Sequence, residues 1–293
     1  MILGGSGLVG SHLLACLRER GHQALGTCWR QEPRGLQRLS MRNISGITEK
    51  LKRGKFDALA ICSGFTWVDE CERKPKKAKL YNSILPGKIA RICKKYRTKT
   101  VYLSTSYIFD GKSGPYTEKS RPNPICVYGY SKMEGEIRIK KECGKNYLII
   151  RTMGVVGYES TQKNFLYTVV SSLSLGKKLA VAEDQKGNLT CATDLARGIA
   201  MLLEADKRGI YHVAGIDPHL RRIDVARKIA YQYGLDKSLI LPVLTPALAQ
   251  KAQRPANAGL SIHKIRKELR FIPKVRLPSP NEILPDLGSK NIK

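Results

Sequence analysis

An α/β fold built on a doubly wound parallel sheet, with a smaller carboxyl-terminal lobe, is predicted by three features of this 293-residue sequence. Short apolar runs alternate with amphipathic stretches through the first half, the pattern of strand, helix and strand in a parallel sheet. A glycine turn, Gly4, Gly7 and Gly10 in GxxGxxG spacing, separates the first apolar run from the first amphipathic one. Beyond Arg151 the alternation loses regularity and prolines gather at 242, 246, 255, 273, 278 and 280, which marks the second lobe.

Taken in order, strands are expected near 2–3, 23–28, 58–62, 100–104, 147–151 and 210–213, and helices over about 9–20, 83–96, 128–143, 164–175, 193–205 and 223–233. The division is 1–157 for a Rossmann-like nucleotide-binding domain and 158–293 mainly for a substrate lobe, with about 193–233 returning to the sheet. Only Met1, Ile2 and Leu3 precede the first glycine, whereas a central strand has about five or six residues. The first strand therefore reads as clipped, with the natural start expected upstream.

Apolar residues make up 42% of the chain, enough to fill a sizeable core. No run of about 18 uncharged apolar residues and no cleavable leader pattern is present, so a cytoplasmic protein with no membrane partner is expected. The eight cysteines form no CxxC pair and have no metal-ligand spacing, and no metal is expected. Fifty-two basic against 24 acidic residues give a net charge of +28. The basic runs lack the interleaved aromatics of base-stacking surfaces, so nucleic acid is not the expected partner, and a phosphate-bearing substrate accounts for part of the charge.

Glycines between a strand and a helix allow a tight turn and close approach of backbone to a pyrophosphate, and the helix amino terminus offers unpaired N–H groups. Gly4, Gly7, Leu8, Val9 and Gly10 are the first cofactor candidates. Twenty residues beyond Gly10, where an acid would bind a ribose hydroxyl, stands Arg30, which favours the 2′-phosphate of NADP; Glu32 nearby leaves NAD open.

Tyr128 and Lys132 lie four apart at the start of a predicted helix, hence on one face. A phenol with a pKa of about 10 needs a nearby cation to serve in acid-base chemistry at neutral pH, and Lys132 supplies one. Thr105 follows the strand over 100–104, at the edge where open α/β sheets place ligands, and its hydroxyl can donate to a carbonyl as charge develops there.

These residues, with GGSGLVG, STSYIFDG, PYTE, YGYSKMEGE, RTMGVVG, KNF, EDQKGNLT and RPANAGLS, closely resemble the extended short-chain dehydrogenase/reductases, and within them the dTDP-4-dehydrorhamnose reductases. The motifs keep the family's order from Gly4 to Ser261. The resemblance implies hydride transfer to the 4-keto carbon of a nucleotide-linked 6-deoxysugar, with Thr105, Tyr128 and Lys132 as the catalytic group. It places Cys62, Ser63, Gly64, Asn82 and Ser104 with the cofactor, besides Tyr128 and Lys132, and it also implies that Asn82 supports the active-site helix. Ser106, Tyr107, Arg151, Asn164, Gln185, Arg254 and Asn257 fall on the substrate side, and a homodimer is left open.

Three positions depart from the family pattern. Ser106 replaces an aspartate, Gly154 a tryptophan expected to touch the sugar, and Leu189 a proline. The Ala252-Gln253-Arg254-Pro255-Ala256-Asn257-Ala258 run is also similar to the regulatory β subunit of methionine adenosyltransferase, which implies an alternative: an NADP-binding regulatory partner of that enzyme. A sugar-nucleotide epimerase is a further alternative. Dehydration is disfavoured because Ser106 and Tyr107 stand where dehydratases have an acidic pair.

Overall fold

The computed structural model describes residues 1–29 and 35–283. The elements run β1 (Ile2–Leu3), α1 (Leu8–Glu19), β2 (Gly26–Cys28), β3 (Leu36–Arg38), α2 (Ile44–Arg53), β4 (Ala58–Ile61), α3 (Val68–Arg73), α4 (Pro75–Lys79), α5 (Leu85–Lys95), β5 (Lys99–Thr105), α6 (Val127–Cys143) and β6 (Tyr147–Thr152). They continue as β7 (Val155–Val156), α7 (Phe165–Ser174), β8 (Leu179–Ala182), β9 (Lys186–Gly187), β10 (Thr190–Cys191), α8 (Ala192–Glu204), β11 (Gly209–His212), β12 (Leu220–Arg221), α9 (Arg222–Gln232), β13 (Ile240–Val243) and α10 (His263–Leu269).

Seven strands form one sheet in the order β11-β6-β5-β4-β1-β2-β3, and every pairing in it is parallel. The order reverses beside β1, so loops on either side of that strand diverge and leave a crevice at the carboxyl edge, where such sheets bind ligands. One face is covered by α1, α8 and α10 through Leu13, Leu195, Ile199 and Ile265, with Phe271 just beyond α10. The other is covered by α2, α5 and α6 through Ile47, Leu51, Ile89 and Ile139. Buried on both faces, the central strands read as continuous apolar runs, such as Leu148, Ile149 and Ile150 in β6.

A separate core gathers Val156, Leu166, Val170, Val181, Ile223, Ile229 and Ile240 from β7, α7, β8, α9 and β13. The segment 193–233 thus divides: α8 and β11 lie on the large sheet, while α9 packs in this second core. Residues 260–271 return to the first core through Leu260, Ile262, Ile265 and Phe271. Strands β3, β7, β8, β9, β10, β12 and β13 and helices α2, α3, α4 and α10 lie outside the elements expected from the sequence. Between α4 and α5 the helix widens into a π-helical turn, Leu80–Ile84, where a single helix over 83–96 was expected. Among the described residues no helix is long and apolar enough to cross a membrane.

Candidate functional site

The glycine turn is shaped as its spacing requires. Gly4 has φ +87°, and a Cβ there would stand 2.5 Å from Ser63 Oγ. A Cβ on Gly10 would stand 2.1 Å from the Gly4 carbonyl oxygen, so that glycine lets α1 pack onto the turn. At Gly7 a Cβ would meet only the Gly4 oxygen, at 3.5 Å, so nothing in the protein demands a glycine there. Gly7 caps α1 without a side-chain hydrogen bond, and the first turn, Leu8 to Gly10, carries no acid. An open, electropositive helix end beside a side-chain-free position fits a dinucleotide pyrophosphate. Arg30 lies outside the described residues.

Helix α6 presents Tyr128 and Lys132 to the end of β5. Its amino terminus is fixed from outside, since Val127 N–H donates to Glu72 Oε1 at 2.8 Å. Thr105 closes β5; its Oγ1 accepts from Tyr107 N–H at 3.2 Å, and its hydroxyl lies near enough to the Tyr128 phenol to favour the ionised form. Burial pushes the Tyr128 phenol well above its ordinary value, and the Thr105 contact opposes part of that rise. Lys132 Nζ donates to the Leu103 carbonyl at 2.7 Å and lies 4.8 Å from the Tyr102 ring centroid. Burial lowers its pKa to about 8, against the pull of nearby Cys62, Cys71 and Glu136. A Cβ on Gly64 would stand 3.5 Å from Lys132 Nζ, so the 62–64 loop joins the glycine turn to the Tyr128–Lys132 pair. Cys62 at the base of that loop is half-buried, its thiol pushed up to about 12 by burial.

Several residues expected to touch ligands instead hold the site from beneath. Asn82 is fully buried: its Oδ1 accepts from Phe65 N–H, and its Nδ2 donates to Phe65 O and Ser131 Oγ, at 2.8, 2.8 and 3.0 Å. It ties the loop after β4 to α6 and presents nothing to the crevice. Ser104 Oγ donates to Glu136 Oε1 at 2.6 Å. Arg151 grips the same carboxylate with two hydrogen bonds of 2.9 and 2.7 Å. Both partners of that ion pair are 1% exposed, so Arg151 is not a surface ligand, and the expected contact with substrate is corrected to a contact within the core. Asn164 caps α7 through Leu166 N–H and is otherwise spent on Gly157 O and Glu159.

Gln185 Nε2 donates to Thr245 Oγ1 at 3.0 Å. Asn257 Nδ2 donates to Gly114 O at 2.9 Å, while its Oδ1 is buried without a partner. Arg254 pairs with Asp69 at 3.0 Å, joining the carboxyl-terminal segment to α3. Ser106 is 0% exposed with an unpartnered Oγ, and its neighbour Tyr107 meets Tyr128 edge to face at 5.8 Å. Gly154 is left-handed at φ +56°, and a Cβ there would stand 2.2 Å from the Asn188 carbonyl oxygen. No tryptophan fits that backbone.

A family model described as RmlD substrate binding domain matches residues 1–278. The chain belongs to that family. A probable low-salt glycan biosynthesis reductase of Haloferax volcanii is 30% identical, with 92% of this chain and 91% of that protein covered. A dTDP-4-dehydrorhamnose reductase of Sinorhizobium fredii is 32% identical over 81% of each chain. The crystal structure of a hypothetical dTDP-4-dehydrorhamnose reductase from Sulfolobus tokodaii superposes with a TM-score of 0.82 at 29% identity, covering 96% of this chain and 98% of that one. A Bacillus anthracis dTDP-4-dehydrorhamnose reductase in complex with NADP gives 0.79 at 26% identity, covering 99% and 97%.

Two members of the site went unnoticed in the sequence. Glu136 continues the four-residue spacing of Tyr128 and Lys132, and that periodicity could have found it. Arg222, whose guanidinium lies 3.8 Å from the Phe165 ring centroid, reads as one more cation in a basic run.

Proposed function

We propose that this chain is an NADPH-dependent reductase of the 4-keto group of a nucleotide-linked 6-deoxysugar. The single observation that carries the reading is the grouping of Thr105 at the end of β5 with Tyr128 and Lys132 on the first turns of α6, joined through the 62–64 loop to the Gly4–Gly10 turn. Family membership and the reductases among its relatives support the reaction class, and the NADP complex of the Bacillus anthracis relative supports the cofactor.

The residues divide the work by their chemistry. Gly7 and the first turn of α1 hold the pyrophosphate, and Lys132 is placed to reach the ribose beside Gly64. A dihydronicotinamide, when bound, supplies the hydride. Thr105 orients the substrate carbonyl by its hydroxyl. Tyr128 is kept protonated by burial, so its O–H is available as the carbonyl carbon is reduced. That bond breaks, the proton passes to the nascent alkoxide oxygen, and the phenolate left behind is stabilised by the Lys132 ammonium and the Thr105 hydroxyl.

The test is NADPH oxidation with a dTDP-4-keto-6-deoxyhexose, comparing the native chain with Tyr128→Phe. Loss of a general acid lowers the rate by about 10²–10⁴-fold. Equal rates in the two proteins, with cofactor bound in both, would remove Tyr128 from the reaction.

A further inference from the structure

The loop that follows β4 runs along the crevice, and its residues fall in a spatial order. Ser63 is nearest the cofactor turn, its Oγ 2.5 Å from where a Cβ on Gly4 would stand. A Cβ on Gly64 would lie 3.5 Å from Lys132 Nζ and 3.8 Å from Thr66 Cγ2. Trp67 comes next and caps α3, whose Asp69 accepts from Ala252 N–H at 2.9 Å and from Arg254 at 3.0 Å. Trp67 thus stands beyond the Lys132 ammonium on the side away from the glycine turn. At most about 10 Å of extended chain separates it from Gly64. A pyranose whose carbonyl carbon is reduced at Tyr128 lies in that interval.

The loop turns its side chains two ways. Phe65 is half-buried with Lys77 against its ring, whereas Gly64, Thr66 and Trp67 are exposed. The Trp67 indole is 56% exposed, and among the described residues its N–H has no partner and no aromatic ring packs on it. One group does hold it: Lys163 Nζ lies 5.3 Å from the ring centroid. Lys163 comes from the segment between β7 and α7, and its own N–H is fixed on Glu159 Oε1 at 2.9 Å. The contact spans the mouth of the crevice from the second core to the first, and the ammonium covers one face of the ring only. At the same sheet edge Gly154, two residues beyond the Thr152 that pairs with Thr105, is exposed and brings no side chain.

We infer that Trp67 is the platform for the sugar ring of the nucleotide-linked substrate, with the C–H face of the pyranose against the indole face that Lys163 leaves uncovered. The inference rests on the reductase reading and deepens it, by naming a residue that recognises the sugar rather than the nucleotide. A pyranose presents an apolar face of C–H bonds, and a 6-deoxysugar adds a methyl group to it. The negative face of an indole attracts those weakly positive hydrogens and shields them from water. The ring is rigid and is oriented by Lys163 before the ligand arrives, so little freedom is lost on binding.

The sequence has two tryptophans, Trp29 and Trp67, so W29F leaves Trp67 as the sole tryptophan reporter. With NADP bound, its emission is followed as thymidine diphosphate or thymidine diphosphate linked to a 6-deoxyhexose is added. The sugar nucleotide is expected to change Trp67 emission and thymidine diphosphate to leave it unaltered. Calorimetry then gives the sugar increment, the ratio of the two dissociation constants, in the native chain, W67A and W67F. W67A should reduce that increment by about 3- to 10-fold, the range of an aromatic contact, and W67F should keep most of it. Affinities for thymidine diphosphate and NADP should be native in both variants, and the KM for the keto sugar nucleotide should rise in W67A by the factor lost from the increment.

An unchanged increment in W67A overturns the platform, including the case in which the variant merely melts earlier, since a brace between the lobes would do only that. Equal responses of Trp67 to the two ligands overturn it as well, because the nucleotide rather than the sugar would then lie on the ring. Should W67A fail to fold, W29F decides alone: no emission change with the sugar nucleotide overturns the assignment. The binding measurements need no turnover. If Trp67 answers to the sugar but the native chain reduces no keto sugar, the reductase reading fails and the platform stands. If the native chain turns over and W67A keeps the native increment, the reverse holds.

Discussion

Replacing Glu136 by Gln leaves Arg151 charged and buried with no carboxylate to face. The native pair has two hydrogen bonds of 2.9 and 2.7 Å, both partners are 1% exposed, and Ser104 Oγ is a third donor to the same carboxylate at 2.6 Å. Breaking such a pair from one side costs about 3–5 kcal/mol, because the remaining charge is stranded. At about 2–4 °C per kcal/mol for chains somewhat shorter than this one, the melting temperature should fall by roughly 6–20 °C. Arg151→Met should do similar damage. Glu136→Met combined with Arg151→Met removes both charges, and the double variant should lie within about 2 kcal/mol of native, short mainly of the Ser104 hydrogen bond. Urea denaturation of the two single variants and the double gives the coupling directly. Single variants that each lose less than about 1 kcal/mol, or losses that add in the double, would refute the claim that this pair braces β5, α6 and β6 together.

Three further outcomes follow from particular atoms. Gly7→Ala should leave the unliganded chain within about 1 kcal/mol of native yet weaken NADPH at least about 10-fold, whereas Gly10→Ala, whose Cβ meets the Gly4 carbonyl oxygen at 2.1 Å, should destabilise the fold itself; thermal melts with and without NADPH separate the two. Gly154→Ala combines φ +56° with a 2.2 Å approach to Asn188 O, and should cost more than about 2 kcal/mol in urea denaturation. His212 is held neutral by burial, with Arg151 adding to the effect, and its pKa is lowered to about 3 from 6.5. Because the unfolded chain binds the proton first, the stability this histidine contributes is complete above pH 6.5 and is lost as pH falls toward 3. His212→Phe should take up about one proton fewer on unfolding across that window, measured as a shallower slope of stability against pH.

The chemistry of the site was legible in the sequence where it depends on local spacing. Tyr128 and Lys132 face one way because a helix repeats every 3.6 residues, and the Gly4–Gly10 turn is recognisable because only glycine tolerates its backbone and its close approaches. What escaped depends on distant partners. Ser104 and Arg151 were placed with ligands by the family resemblance, but the direction of each side chain is decided by Glu136 on a helix between them in sequence. Arg222 is indistinguishable from Arg221 until Phe165 is folded against it. Helix α2 has only Ile47 and Leu51 buried, a stripe too short to read as periodic, and the two-residue strands β7, β9, β10 and β12 exist through pairing rather than propensity.

The π-helical turn at Leu80–Ile84 has a consequence for how this scaffold tolerates change. One wide turn sets the rotational phase of α5 relative to α4, and with it the direction in which Asn82 reaches Phe65 and Ser131. Excising a single residue there would restore an ordinary helix with α5 turned only slightly, yet it would re-aim the side chains within the turn and carry Asn82 away from Phe65 and Ser131. Within this segment, then, length is under stricter constraint than composition, and the active-site loop inherits its position from a residue count.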